Sequence, residues 1–255
     1  MIKLAKSPTF ALETSEQTGP SGFSTGQLSM PDFKARIKLL TALGATAIEF
    51  TPSYQELHLL PDILKSTSKE FVHVSVHSPT PENKEQELID LLHPISRQGV
   101  DVIVHPDDMK DLSLWCSIGS RLCLENMDNQ KTMGQTQNDL SPMFDLLPEA
   151  GFCLDLGHAY QIDRSMDLTL SLIKAFAPRL RQLHISQVTP TGPHTNIGPD
   201  AQKAYQTIAR RLPKHLSVII ESFGLLQDTP ECRRQFEEEL SIVRTILNTN
   251  FEEQA

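Results

Sequence analysis

Seven short apolar runs, each carrying a polar side chain at or near its end, constrain this chain more than any other feature of its sequence. They read ATAIEF (45–50, with Glu49), FVHVSVH (71–77), VDVIVH (100–105), RLCLE (121–125), GFCLD (151–155), LRQLH (180–184) and LSVIIE (216–221). A weaker eighth run covers 22–25. Their length and β-branched content predict strands. Between them lie segments with apolar residues at helical spacing: 32–43, 85–97, 141–149, 167–176, 202–212 and 231–247. Ser29 is a plausible cap for the first, with Pro31 in its first turn. Strand alternating with helix predicts a parallel α/β sheet.

The intervals say which sheet. Successive polar ends, Glu49, His77, His105, Glu125, Asp155, His184 and Glu221, are 28, 28, 20, 30, 29 and 37 residues apart. Most fit a βα unit of about thirty residues. Eight such units close into a (β/α)8 TIM barrel of roughly 250 residues, and the chain has 255. A doubly wound open sheet would need polar groups at one switch point, whereas here nearly every strand end carries one. No Pro/Gly/Ser-rich linker divides the sequence, so 1–255 is expected to be one domain, with 1–20 as an unassigned N-terminal extension. The longest polar loops are expected at 126–139 and 186–200.

In a parallel barrel the C-terminal strand ends converge on one axis. Glu125, Asp155, His184 and Glu221 would meet there as a mixed carboxylate–imidazole set. Such a set suits Zn2+ or Mn2+, with Fe2+ and Co2+ as further candidates, and needs no thiolate. His77, His105, His158 and His194 add imidazoles near the same face. A lone strand-end His or Asp is more often a structural polar group. Five consecutive strands ending in His, His, Glu, Asp and His are harder to explain that way, because unpaired charges in a barrel mouth are costly. His73 is expected to be a hydrogen-bonded core residue, and His58, His93 and His215 surface residues.

Composition narrows the partners. Net charge is −9, and no basic footprint for nucleic acid is present. A nucleic-acid partner is therefore not supported by charge, although a local cleft can oppose the global sign. Glu237-Glu238-Glu239 reads as the solvated face of the last helix. Of four cysteines none forms a CxxC pair, and Cys123 and Cys153 lie inside apolar runs as small buried hydrophobes. No stretch approaches the ~18–20 apolar residues of a membrane span. A reducing, cytoplasmic setting is expected, and oligomeric state is left open.

Several segments together resemble a known family. LENMDNQKTMG (124–134) resembles the E-N-x-x-x-Q-x-x-x-G stretch of endonuclease IV-type AP endonucleases, and GFCLDLGHAY (151–160) their D-x-x-H-A segment. Val76-His77-Ser78, Val104-His105-Pro106 and HTNIG (194–198) look like their H-x-S, H-P and H-x-x-I-G. His184 and Glu221 match their ligands on strands seven and eight. The resemblance spans about 22–221 and extends to the wider xylose isomerase-like barrels, which include sugar isomerases and epimerases. It implies one ion on Glu125, Asp155, His184 and Glu221, and a second on His77, His105 and a bridging Glu125. A third would lie on His158 and His194, but the aspartate expected two residues before His194 is Gly192. One to three ions are thus implied. Asn126 and Gln130, with His158, are candidate substrate contacts.

Three functions follow as expectations. The ligand inventory favours hydrolysis of a phosphoester by metal-activated water, since two ions can activate water and stabilise a leaving oxygen. The alternative is a metal-dependent isomerase or epimerase of a small sugar or polyol, with Glu125 and Glu221 as acid and base. No Lys or Arg follows His184 in the run His184-Ile185-Ser186-Gln187, where many epimerases have one. The third reading is a non-catalytic barrel that binds a small molecule.

Overall fold

The computed structural model describes residues 19–27, 33–222 and 228–248. In chain order the strands are β1 (Ser21–Ser24), β2 (Ala47–Phe50), β3 (His73–His77), β4 (Asp101–Val104), β5 (Leu122–Glu125), β6 (Gly151–Asp155), β7 (Leu180–Ile185), β8 (Gln187–Val188), β9 (His194–Thr195) and β10 (Ser217–Ile220). The helices are α1 (Phe33–Ala42), α2 (Leu60–Thr67), α3 (Glu85–Ser96), α4 (Leu112–Trp115), α5 (Gln137–Leu146), α6 (Leu156–Ile162), α7 (Asp167–Phe176), α8 (Pro199–Ala209) and α9 (Pro230–Leu247). Eight parallel strands close a barrel in the order β1-β10-β7-β6-β5-β4-β3-β2, and β8 and β9 form a small antiparallel hairpin. The chain is therefore a (β/α)8 TIM barrel, as the strand spacing predicts.

Alternation along the strands divides the core in two. One parity, including Ile48, Phe50, Val76, Leu124, Phe152, Leu154 and Leu183, joins the large apolar cluster under the helices. The other parity points inward. There the apolar content shrinks to a small cluster of Ile103, Cys123 and Cys153, so both cysteines are buried as expected. Above and around that plug the interior is polar, and this places ionisable groups at the upper ends of the strands.

Several boundaries differ from the sequence reading. Helix α5 starts at Gln137, four residues earlier than expected, because Thr136 and Asp139 form a reciprocal capping box. Helix α8 starts at Pro199, three residues early, with proline in its first turn. Helix α2 was not anticipated, although Leu57, Leu60 and Leu64 are buried at helical spacing. Glu239 is not solvated. It falls in the buried stripe Phe236–Leu240–Val243–Ile246 of α9, where it accepts hydrogen bonds from Ile197 N (2.9 Å) and from the Ser222 hydroxyl. The proposed cap at Ser29 and Pro31, and 1–18 of the expected extension, lie outside the described residues.

Candidate metal centre

Two groups of ligand atoms meet at the upper end of the barrel and share one side chain. Glu125, Asp155, His184 and Glu221 form one; His77, His105 and Glu125 form the other. In each group the ligand atoms lie within 4.8 Å of one another, close enough for a single ion to touch them all. The strand register brings them together: β6 pairs with β7 so that Asp155 stands beside His184, one inward-facing layer above Cys153 and Gln182. Glu125 divides its carboxylate between the groups. Its Oε1 lies 2.8 Å from His184 Nδ1, and its Oε2 lies 3.2 Å from His77 Nε2 and 3.3 Å from His105 Nε2.

Asp155 is committed on one side only. Its Oδ1 accepts the His158 backbone N–H (2.7 Å) and so caps α6. Its Oδ2 is buried with no hydrogen-bond partner. An ionised oxygen left unpartnered in the interior is costly, and a cation held by the same four residues would satisfy it. The donor set, three carboxylates and one imidazole, fits a divalent ion of borderline or hard character. The residues present therefore fit a metal.

Without an ion, the carboxylates and imidazoles of the cluster shift one another's protonation. Burial disfavours a charged His184, but the neighbouring Cys153 sulfur and the carboxylates of Glu221, Glu49 and Glu125 outweigh it and hold the imidazole well above its usual range. Burial likewise opposes charging of His77, yet Glu125, Glu49 and Glu221 push it up to about 9. Burial would raise the Glu125 and Glu221 carboxyls, but the surrounding imidazoles hold both below the usual carboxylate range. For Asp155 burial wins over His158 and pushes the carboxyl up to about 6. A divalent ion would displace the imidazole protons.

The remaining expected residues separate. His158 donates Nδ1–H to the Asn126 carbonyl (2.8 Å) and aims Nε2 at His194 Nε2, 3.3 Å away. Position 192 supplies no carboxylate: Gly192 has φ +104° in the turn of the β8–β9 hairpin, a conformation that strains any residue with a Cβ. Among the described residues no third group of three or more ligands includes His158 and His194.

Asn126 and Gln130, expected as substrate contacts, both hydrogen-bond to protein groups. The Asn126 side chain is fully buried, donates Nδ2–H to Asp155 O (2.9 Å) and accepts Asp155 N–H (2.8 Å). It clamps β5 to β6 from behind the site. Gln130 is exposed and bonds Asn129 Oδ1 and Pro190 O, tying the loop after β5 to the hairpin. Gly134, which closes the same motif, has φ +84° and sits so tightly on Met127 and Pro106 that a Cβ would lie 2.8 Å from the Met127 side chain. The motif thus shapes a loop. His73 is hydrogen-bonded as expected, to Gln182 Oε1 at 2.7 Å, but is half-buried and not in the core; His58 and His215 are exposed, and His93 is half-buried and pairs with Ser117.

Sequence reasoning left Glu49 out of the site. It is fully buried on β2, and its Oε2 lies 3.1 Å from His184 Nε2. The signal was present, a carboxylate in the run ATAIEF, but only the closed barrel shows what it faces.

Above the centre lies a cavity of about 330 Å³, lined by His77, His105, Glu125, His158, His194 and Glu221 among others. Lys131 is the one lysine or arginine among its described lining residues, and it is paired with Asp107 at 2.6 Å. No helix among the described residues is long and apolar enough to cross a membrane.

Fold and site together define a (β/α)8 barrel with a carboxylate–imidazole cluster at the C-terminal ends of its strands. The chain belongs to the xylose isomerase-like TIM barrel family, whose model matches residues 29–231. A comparison with curated protein sequences gave no match. Solved structures with the same fold include D-psicose 3-epimerase with D-tagatose from Clostridium cellulolyticum H10, at 15% identity and TM-score 0.65, covering 89% of this chain and 99% of that one. An L-ribulose 3-epimerase matches at 12% identity and TM-score 0.61, covering 90% and 94%. A xylose isomerase domain protein from Alicyclobacillus acidocaldarius matches at 13% and 0.62, covering 91% and 100%. The finer likeness to endonuclease IV-type enzymes is not what these neighbours display.

Proposed function

We propose that this protein is a divalent-metal-dependent isomerase or epimerase of a small sugar or polyol. The observation that carries this reading is the four-residue group Glu125, Asp155, His184 and Glu221 beneath a cavity of about 330 Å³. That volume is at the small end of small-molecule pockets. The ketose 3-epimerases among the neighbours support the same choice. It replaces phosphoester hydrolysis as the preferred function, since the one lysine or arginine among the described lining residues, Lys131, already has a carboxylate partner.

Glu125, Asp155, His184 and Glu221 would hold the ion. When bound, it would polarise a carbonyl or hydroxyl oxygen and acidify the neighbouring C–H. Glu125 and Glu221 are ionised at neutral pH and project to the cavity. One carboxylate would take the proton from the carbon; the other, after picking up a proton from solvent water, would deliver it to the carbon. His158 and His194 also line the cavity and would orient substrate hydroxyls.

The test is solvent exchange. Metal-stripped protein is reloaded with Mn2+, Co2+ or Zn2+ and incubated with a panel of ketoses in D2O. Deuterium at the carbon beside the carbonyl, lost in Glu221→Gln, is the expected result. No exchange with any metal or ketose would sink the reading.

One observation favours a second reading. The adjoining group His77, His105 and Glu125 can hold a second ion, and paired ions suit metal-activated-water hydrolysis of a phosphoester. Cleavage of bis-p-nitrophenyl phosphate without ketose exchange would select it.

A further inference from the structure

The buried layer beneath the ligand groups contains a carboxylate that neither group uses. Glu49 has no exposed surface, and three donors converge on its Oε2: Ser75 Oγ (2.9 Å), Gln182 Nε2 (2.6 Å) and His184 Nε2 (3.1 Å). Its Oε1 has no partner. The same barrel interior holds the apolar plug of Ile103, Cys123 and Cys153. A carboxylate there costs desolvation unless something requires it.

The requirement lies in His184. Its Nδ1 faces Glu125 and Glu221, and its Nε2 faces away from them, toward Glu49 and Gln182. To coordinate through Nδ1, the ring must carry its hydrogen on Nε2. Gln182 alone would select the opposite form. Its Oε1 is held by His73 Nε2–H at 2.7 Å, which turns its NH2 group toward His184 Nε2, also 2.7 Å away. An N–H donor facing Nε2 favours a lone pair there and a hydrogen on Nδ1. Glu49 reverses this preference: its carboxylate accepts from Nε2–H and also takes up a Gln182 N–H.

We propose that Glu49 is a positioning residue for the metal centre, fixing the tautomer and ring orientation of His184 so that Nδ1 is free for the ion. This rests on the metal-dependent reading above. A carboxylate behind a ligating imidazole also raises its basicity, and loss of such a partner typically weakens metal binding about 10- to 100-fold.

The experiment is Co2+ titration of the metal-stripped full chain, read by chelator competition and by the visible absorption of the bound ion. Glu49→Gln keeps the shape and removes the charge. It should bind Co2+ about 10- to 100-fold more weakly, with shifted absorption bands. Glu49→Asp, which keeps the charge but withdraws it by one methylene, should also weaken binding. Ser75→Ala removes one hydrogen bond to the same carboxylate and should stay near wild type. Wild-type affinity and bands in folded Glu49→Gln and Glu49→Asp would overturn the role; if the first fails to fold, the second carries the test. Two failures are distinguishable. If wild type binds Co2+ and Glu125→Gln does not, an unaffected Glu49→Gln defeats only the positioning role. If wild type binds no Co2+, the metal centre itself falls, and this role with it.

Discussion

His158 and His194 point Nε2 at Nε2 across 3.3 Å, at the rim of the cavity. His158 donates its Nδ1 hydrogen to a carbonyl, so when neutral it presents a lone pair. His194 is backed by the Ser186 hydroxyl (2.8 Å). Position 192 is glycine, and among the described residues no carboxylate joins the two imidazoles in a three-ligand group. The double variant His158→Ala, His194→Ala should keep the ion held by the Glu125 group, as elemental analysis would show. Its KM should rise about tenfold, the loss of one substrate hydrogen bond near 1.4 kcal/mol. Loss of an ion in this variant would instead make the pair ligands.

Glu125 touches both ligand groups, so its variants should be the most damaging. Glu125→Gln is expected to lower kcat about a hundred- to ten-thousand-fold and to weaken every bound ion. His77→Ala with His105→Ala should remove only a second equivalent. Metal content per chain, measured on gently purified samples, checks both. A Glu125→Gln protein with normal metal content and turnover would show that the site lies elsewhere.

Asn126 is predicted to act through stability. Asn126→Ala strips partners from the Asp155 backbone N–H and C=O, both buried. Leaving two such groups unsatisfied costs about 2–5 kcal/mol. Denaturant unfolding should show that loss. A variant with unchanged stability but raised KM would restore Asn126 as a substrate contact.

The pH dependence of the metal-free chain has a definite sign. His77 is raised from 6.5 to about 9, and Asp155 from 3.8 to about 6. Each binds its proton more tightly folded than unfolded, so its stabilisation is complete below the unfolded value and is lost as pH rises through the folded one. The windows are pH 3.8–6 for Asp155 and 6.5–9 for His77. Glu125 and Glu221 are lowered and stay ionised in both states across the upper window. Metal-free protein should therefore melt at a lower temperature at pH 9 than at pH 6.5. Added Zn2+ or Mn2+ should stabilise more at the higher pH, because imidazoles must shed protons to coordinate. A melting temperature that rises across this interval would contradict the site electrostatics.

Much of the architecture was legible because it is periodic. Alternation within each run and intervals near thirty residues repeat often enough to fix strand, helix and barrel without knowing any contact. The polar strand ends were legible for the same reason: parallel strands in one barrel must end on one face. Helix starts were less so, since the Thr136–Asp139 box and the proline at 199 act locally and carry no period.

The sequence by itself determined the barrel and the residue types at its mouth. Only the tertiary structure decided how those residues divide. Asn126 and Gln130 sit in one motif, yet one clamps a strand and the other ties down a loop, because side-chain direction depends on backbone turns that spacing does not encode. Glu49 and His184 are 135 residues apart, and nothing in either run announces the other. Their meeting follows from barrel closure, which sets strands distant in sequence across a common interior where a buried carboxylate must find a partner.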